Sequence, residues 1–255
     1  MTTQPEQRRA LALYEQNEPM PAPLALGYAR ALLERAQSGA LPGALRIYRP
    51  EPTVAFGQRD RFLPGFPAAV EAARSHGFEP VIRGLGGRAA AYHRGSLVVD
   101  HIEASQNAIA ETQSRFAGFG DLIADALRSV GVDARVGEID GEYCPGEYSI
   151  NGGGRIKLVG TAQRIVSGAW LFSMAILVED SAPIRVVLDE VYPRLGLPWK
   201  PETAGTAEDL TAGITVDAVK AAVVEAYRRD YAITTAHIDQ GTRLLAERLA
   251  PAHGL

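Results

Sequence analysis

The stretch that most restricts the fold is Pro80-Val81-Ile82-Arg83-Gly84-Leu85-Gly86-Gly87-Arg88, where a short strand runs into a glycine-rich loop. A second strand pattern, Ala89 to Tyr92, follows it where a nucleotide-binding fold would place a helix. The loop therefore lacks the helix N-terminus that receives phosphates in those folds. It is not Gly-x-Gly-x-x-Gly, because the third glycine is missing, and no Gly-Lys-Ser/Thr follows. The rest of the pattern agrees. Helical spacing is read over Leu24 to Gly39, Phe66 to His76, Arg115 to Val130, Asp189 to Leu195 and Val216 to Arg229, the last capped by Thr215. Strands are read at Ala44 to Tyr48, Thr53 to Phe56, Ser96 to Ile102, Asp133 to Val136, Arg155 to Gln163 and Ala169 to Leu177. These elements do not alternate strictly, and several strands look hairpin-connected, Ala89–Tyr92 with Ser96–Ile102 around Arg94-Gly95 among them. The expected class is α+β, not a doubly wound parallel sheet.

A chain of 255 residues with 46% hydrophobic and 22% charged residues can bury one large core. Three segments are expected: a lead-in over 1–23, including the rigid Pro19–Pro23 stretch, a main domain over 24–231 and a helical tail over 232–255. No run approaches the roughly 20 apolar residues of a membrane span. The net charge of -4 gives no basic footprint for nucleic acid. Met1 to Arg9 do not read as a secretory signal, and the chain's single cysteine excludes an intrachain disulfide. A cytoplasmic protein is expected, with no membrane or nucleic-acid partner.

That cysteine, Cys144, lies in Glu142-Tyr143-Cys144-Pro145-Gly146-Glu147-Tyr148, an irregular stretch rather than the interior of an element. A reactive thiol there would need a cation to offset Glu142 and Glu147. Lys157, in the otherwise apolar run Ile156 to Ala162, is a candidate for that cation or a solvent-face lysine. Gly160 in the same strand points to close approach by something. Arg83 and Arg88 flank the glycine loop, and His93 lies just beyond it, either as a hydrogen-bonding group or as a turn histidine. No metal-ligand spacing is present, so no metal is expected.

Taken together, three ordered segments resemble the lipoate–protein ligase A and lipoyl/octanoyl transferase family, which shares its fold with biotin–protein ligases. Arg83 to Leu97 (RGLGGRAAAYHRGSL) looks like the family's Arg-Arg-x-Ser-Gly-Gly-Gly-x-x-Tyr-His-x-x-Gly-x-Leu signature. Lys157 to Arg164 (KLVGTAQR) looks like its Lys-x-x-Gly-x-Ala/Ser-Gln motif, and Leu45 to Arg59 like its early Leu-Arg-x-Tyr stretch. Tyr143-Cys144-Pro145-Gly146-x-Tyr148 resembles the cysteine loop of the transferase branch. The resemblance covers about Leu24 to Tyr231. It implies a mixed, largely antiparallel sheet flanked by helices, as in class II aminoacyl-tRNA synthetases.

The activity implied is transfer of an octanoyl or lipoyl group through a Cys144 thioester to a lysine of a lipoyl domain. The donor would be an acyl carrier protein or an octanoylated or lipoylated carrier. This route needs no cofactor. The alternatives are an ATP- and Mg-dependent lipoate ligase working through an adenylate, and a non-catalytic relative that only binds a carrier or lipoyl domain. Leu85 and Arg88 stand where the family has serine and its third glycine, which disfavours the adenylate route. The implied catalytic residues are Cys144 and Lys157, with Lys157 orienting the substrate carbonyl and favouring the thiolate. The substrate site would comprise Arg83, Gly86, Gly87, Tyr92, His93, Gly160 and Ala162. Val81, Ala91, Val159 and Ala162 are expected to line the acyl tunnel, and Arg49, Arg59, Arg61 and Arg94 to steer an acidic partner.

Overall fold

The computed structural model describes residues 8–255, so most of the Met1–Arg9 reading lies outside the described residues. The chain order is β1 (Arg9–Gln16), α1 (Ala22–Gln37), β2 (Gly43–Tyr48), β3 (Thr53–Phe56), α2 (Phe66–Ser75), β4 (Glu79–Ile82), β5 (Ala90–Tyr92) and β6 (Ser96–Ala104). It continues with α3 (Thr112–Ser129), β7 (Ala134–Val136), β8 (Ile150–Gly152), β9 (Ile156–Val166), β10 (Ala169–Leu177), α4 (Ala182–Leu195), α5 (Val216–Asp230), β11 (Tyr231–Thr235) and α6 (Gln240–Leu249). Eight strands form one sheet in the order β11-β1-β2-β6-β10-β9-β8-β7, and β4-β3-β5 form a second. Only the β11/β1/β2 edge of the large sheet is parallel, so the expected mixed, largely antiparallel α+β architecture is what the chain adopts. No helix among the described residues is long and apolar enough to cross a membrane.

The two faces of the large sheet are covered differently. On one face α3 and α5 bury Phe119, Ile123, Leu127, Val219, Val223 and Tyr227 against inward residues of the strands. On the other lie α1 and the small sheet, the latter backed by α2 and α4. α1 begins with Pro23 in its first turn, where the missing N–H costs nothing. Glu79 of β4 accepts the Ala22 N–H at 2.7 Å, so the helix start is tied to the small sheet. Gly27 allows close packing by α6, since a Cβ there would sit 2.5 Å from the Ala246 carbonyl oxygen.

Several expectations change. β1 lies in the expected lead-in and β11 starts at the expected end of the main domain, yet they pair with each other in the large sheet. The 23/24 and 231/232 boundaries therefore cut through hydrogen-bonded or closely packed structure. β8 was not anticipated. The helix read from Asp189 begins at Ala182. β5 and β6 do not form a hairpin: β5 pairs with β3 in the small sheet and β6 with β2 and β10 in the large one. The Arg94-Gly95 turn is thus a crossing between sheets.

β9 carries the irregularity that most affects the site. Adjacent residues Ile150 and Asn151 of β8 face Val159 and Lys157, which leaves Leu158 as an extra residue. A bulge of this kind shifts side-chain alternation by one. Leu158 and Val159 accordingly both enter the α3/α5 core, while Lys157, Gly160 and Ala162 line one cavity on the other face. Unbroken alternation would have put Lys157 opposite Gly160 and Ala162.

Beneath α1, Arg46 of β2 and Asp100 of β6 stand directly opposite each other and are 0% and 2% exposed. Arg46 Nη1 bonds Asp100 Oδ2 and the Ala25 carbonyl, both at 2.9 Å, and Ser173 Oγ donates to Asp100 Oδ1 at 2.6 Å. The guanidinium also lies 4.0 Å from the centre of the Tyr48 ring. Removing one member of such a pair strands the other without water. Arg46→Met is expected to lower unfolding free energy by about 3–5 kcal/mol, with Arg46→Met/Asp100→Leu recovering part of it, as read from urea midpoints.

Candidate functional site

In the small sheet β3 lies between β4 and β5, so the chain leaving β4 must cross the end of β3 to reach β5. Residues 83–89 make this crossing. The Arg83 N–H donates to the Phe56 carbonyl at 3.0 Å, and the loop then closes on Gly57. A Cβ on Gly57 would lie 1.9 Å from the Gly87 oxygen, so only glycine permits that approach. Gly87 has φ +101°, and a Cβ there would lie 2.4 Å from Arg83 Nη2 and 2.8 Å from Cys144 Sγ. Two separate segments therefore need glycine to bring the loop onto the sulfur.

The cysteine arrives from the edge of the large sheet, in the segment 137–149 between β7 and β8. Cys144 takes φ +44°, which is uncommon for a residue with a Cβ. Its environment fixes that conformation from two sides. The Cys144 N–H donates to Tyr192 Oη at 2.7 Å, and Tyr192 in turn donates to the Ala89 carbonyl at 2.9 Å. Lys157 Nζ donates to the carbonyls of Tyr143 (3.0 Å) and Cys144 (2.6 Å) and to Glu142 Oε1 (2.8 Å). Glu142 also accepts from Ser149 Oγ at 2.6 Å and from the Ile139 N–H at 3.2 Å.

Held this way, Cys144 Sγ accepts from Arg83 Nη2 at 3.3 Å and from the Arg88 N–H at 3.2 Å. Burial alone would raise the thiol's pKa. The Arg83 and Lys157 charges and the Arg88 N–H bond outweigh it, and the thiol is held below its ordinary value. Glu142 is neutralised by Lys157, and Glu147 is exposed. The cation required beside the thiol is therefore present, but the one in contact is Arg83. Lys157 acts on the sulfur at longer range and commits its three N–H bonds to the loop, so it has none left to orient a substrate carbonyl. Arg83 retains a buried Nε with no partner.

A cavity of about 410 Å³ opens beside the sulfur, between β9 and β10 of the large sheet and β5 of the small one. Arg83, Gly86, Gly87, Tyr92, Cys144, Lys157, Gly160 and Ala162 all line it, so the structure brings eight of the expected site residues together. His93 is the exception. Its Nδ1 accepts the Gly95 N–H at 2.8 Å and its Nε2 bonds the Asp180 carbonyl at 2.8 Å, which makes it a turn histidine between the sheets. Ala91 and Ala162 line the cavity as expected, whereas Val81 and Val159 are turned into the cores. Ala175 and Leu177 of β10 and Phe116 of α3 complete the apolar wall. A smaller space of about 40 Å³ lies among Leu26, Tyr48, Val98 and Ser173 and shares Arg83, Tyr92, Gly160, Ala162 and Ala175 with the cavity.

Leu85 is buried against Leu32, Leu33 and Leu171, and Arg88 Nη1 bonds Asp60 Oδ1 at 3.1 Å. Both non-family residues of the glycine loop thus have structural partners. The sequence does not single out Tyr192, Phe116 or the Arg88 amide, and Glu142 reads there only as a thiol-repelling charge. The sequence carries no local signal for Tyr192, 48 residues from Cys144. Among the described residues no cluster of three or more His, Cys, Asp or Glu side chains could hold a metal.

A family model for the lipoyl protein ligase A/B catalytic domain matches residues 21–228. The octanoyl-[GcvH]:protein N-octanoyltransferase of Geobacillus kaustophilus is 33% identical over 167 residues, 65% of this chain and 58% of the relative. Its counterpart in Exiguobacterium sp. (strain ATCC BAA-1283 / AT1b) is 27% identical over 213 residues, 80% and 74% of the two chains. The match to the first of these spans little more than half of that relative's length. Among solved structures, lipoate-protein ligase A bound with ATP superposes with a TM-score of 0.74 at 22% identity, covering 96% of this chain and 95% of that one. The bi-partite lipoate protein ligase of Thermoplasma acidophilum gives 0.73 at 21%, covering 96% and 93%. At such identities these likenesses establish the fold. With the family model spanning most of its length, the chain belongs to the lipoyl protein ligase A/B catalytic domain family.

Proposed function

We propose that this protein is an acyltransferase that carries an octanoyl or lipoyl group as a thioester on Cys144 and delivers it to a lysine of a lipoyl domain. The observation that carries the reading is the double donation to Cys144 Sγ from Arg83 and the Arg88 amide, at the wall of an apolar cavity. Relatives named as octanoyltransferases support the same acyl group and an acceptor of this kind.

In the first half-reaction the Cys144 thiolate attacks the carbonyl carbon of the donor thioester. A new C–S bond forms, the donor C–S bond breaks, and the donor leaves as a thiolate that takes a proton from water. The exchange is nearly isoenergetic, so the site's task is orientation and stabilisation of the oxyanion. Once sulfur carries the acyl group its negative charge is lost. Arg83 and the Arg88 N–H are then free to turn to the carbonyl oxygen, where charge next develops. In the second half-reaction the neutral lysine amine attacks, the C–S bond breaks, and one amine proton ends on the departing sulfur. Amide formation makes this step downhill. Lys157, Glu142 and Tyr192 are positioning residues: they hold the Cys144 backbone while the sulfur changes partners.

The alternative is ATP-dependent ligation, since a lipoate-protein ligase A that binds ATP shares the fold. The commitment of Arg88 to Asp60 and the burial of Leu85 favour the thioester route. Intact-mass spectrometry separates the two. Mixed with an octanoyl thioester and no ATP, the wild type is expected to gain one octanoyl group and Cys144→Ser none. Acceptor modification that requires ATP and free acid, with no adduct on Cys144, would overturn the proposal.

The lowered thiol pKa gives a second prediction. A thiol held down is thiolate in larger fraction at a given pH, so its alkylation by iodoacetamide should reach half-maximal rate at a lower pH than that of free cysteine under the same conditions. Arg83→Met removes the nearest cation, and the midpoint should move up in pH. Acyl transfer at neutral pH should fall by about 10²-fold in the same variant.

A further inference from the structure

The cavity accounts for the acyl chain, but a lysine on a folded domain must reach the sulfur from outside it. A second hollow, of about 550 Å³, lies on the outer side of the glycine loop and is lined by Gln58, Arg59, Arg88 and Pro145. It shares Gly86, Gly87 and Pro145 with the cavity, so the two meet at the loop that contacts Cys144 Sγ. A lysine side chain is short relative to a domain, and an acceptor using this approach would press its surface against the rim.

Two of the hollow's lining residues, Gln58 and Arg59, lead directly into the turn Asp60–Phe62, which follows β3 and Gly57. Arg59 and Arg61 are exposed there, and neither pairs with a carboxylate among the described residues. Arg49 and Arg94, equally plausible from sequence, are engaged by Glu179 at 3.9 Å and Glu51 at 2.6 Å. Next to Arg61 in the same turn, Phe62 is 86% exposed, more than any other large apolar residue of the described chain. An exposed aromatic residue and two exposed arginines within one four-residue turn, on a protein of net charge -4, have the composition of a binding hot spot for an acidic surface.

The turn is also rigidly placed. Asp60 is 0% exposed, and its carboxylate accepts the Gly57 N–H at 2.8 Å and Arg88 Nη1 at 3.1 Å. Arg88 is the residue whose backbone N–H contacts Cys144 Sγ. One residue thus links the rim to the nucleophile. We propose that the Arg59–Phe62 turn is the docking platform for the acceptor, an acidic protein surface around the target lysine, and that the Asp60–Arg88 pair sets its register on the thiol. This proposal rests on the transfer reading above.

The test measures binding and acylation separately. A purified lipoyl domain is titrated into full-length wild type, Arg59→Glu/Arg61→Glu and Phe62→Ala, at ionic strengths from about 0.05 M to about 0.3 M. Each protein is also mixed with octanoyl-N-acetylcysteamine, an uncharged thioester, and its Cys144 adduct followed by intact mass. The charge-reversal variant should bind about tenfold or more weakly at low salt and lose the wild type's salt dependence. Phe62→Ala should bind about tenfold more weakly with the salt dependence kept. Both should form the adduct at the wild-type rate, which also shows that they fold. Unchanged affinity and salt dependence in the charge-reversal variant, with normal adduct formation, would overturn the docking proposal. Failure of every protein to form the adduct, with binding still sensitive to Arg59 and Arg61, would instead remove the thioester reading and leave the platform standing.

Discussion

The contact on which the site depends is between Cys144 Sγ and the two N–H groups that the glycine loop points at it, at 3.2 and 3.3 Å. Neither partner reaches that position alone. The loop must cross β3, because β3 lies between β4 and β5, and it can press close only because residues 57 and 87 are glycines. The cysteine must come from the opposite sheet's edge with φ +44°, a conformation that local sequence does not favour. The environment of the thiol is therefore assembled at the junction of two sheets, and the lowering of its pKa is a property of that junction.

Holding the junction closed uses groups that are costly to bury. Lys157 and Glu142 are 1% and 0% exposed, and a buried ion pair is weak grounds for stability by itself. Here every polar atom of the ammonium has a partner, and two of the three are backbone carbonyls of the cysteine segment. Tyr192 supplies the matching contact on the amide side and reaches across to Ala89. The pair and the phenol thus hold the Cys144 peptide units between them. A thiol that is largely buried remains easier to ionise than a free one because the segment is held where the Arg83 charge, the Lys157 charge and the Arg88 N–H face the sulfur.

Much of this was legible in the sequence. The strand after the glycine loop excluded a phosphate-binding helix, and β3, β10 and α5 fall within a residue or so of where periodicity places them. The ordered segments Leu45–Arg59, Arg83–Leu97 and Lys157–Arg164 point to the family, the Cys144 segment to its transferase branch, and eight of the nine expected site residues meet at one cavity. The failures have physical causes. Strand parity left Lys157 ambiguous and put it opposite Gly160, because the extra residue Leu158 in β9 is invisible without its partner strand. β8 is too short to show a period, and β1 buries only alternate leucines, Leu11 and Leu13, at the parallel edge. His93 lies in a family motif, yet its ring is used to secure a crossing between sheets. Arg83 reads in the sequence as a substrate residue rather than a partner of the sulfur, because the two are 61 residues apart and meet only through the fold.

If the sulfur is the carrier, its acyl form must be an intermediate and not a side product. The most direct measurement isolates octanoylated enzyme free of donor and ATP, mixes it rapidly with a lipoyl domain, and follows both masses. Carriage on the thiol predicts that octanoyl leaves Cys144 and appears on the acceptor lysine at least as fast as steady-state turnover. An adduct that persists, or discharges more slowly than the enzyme turns over, would contradict it.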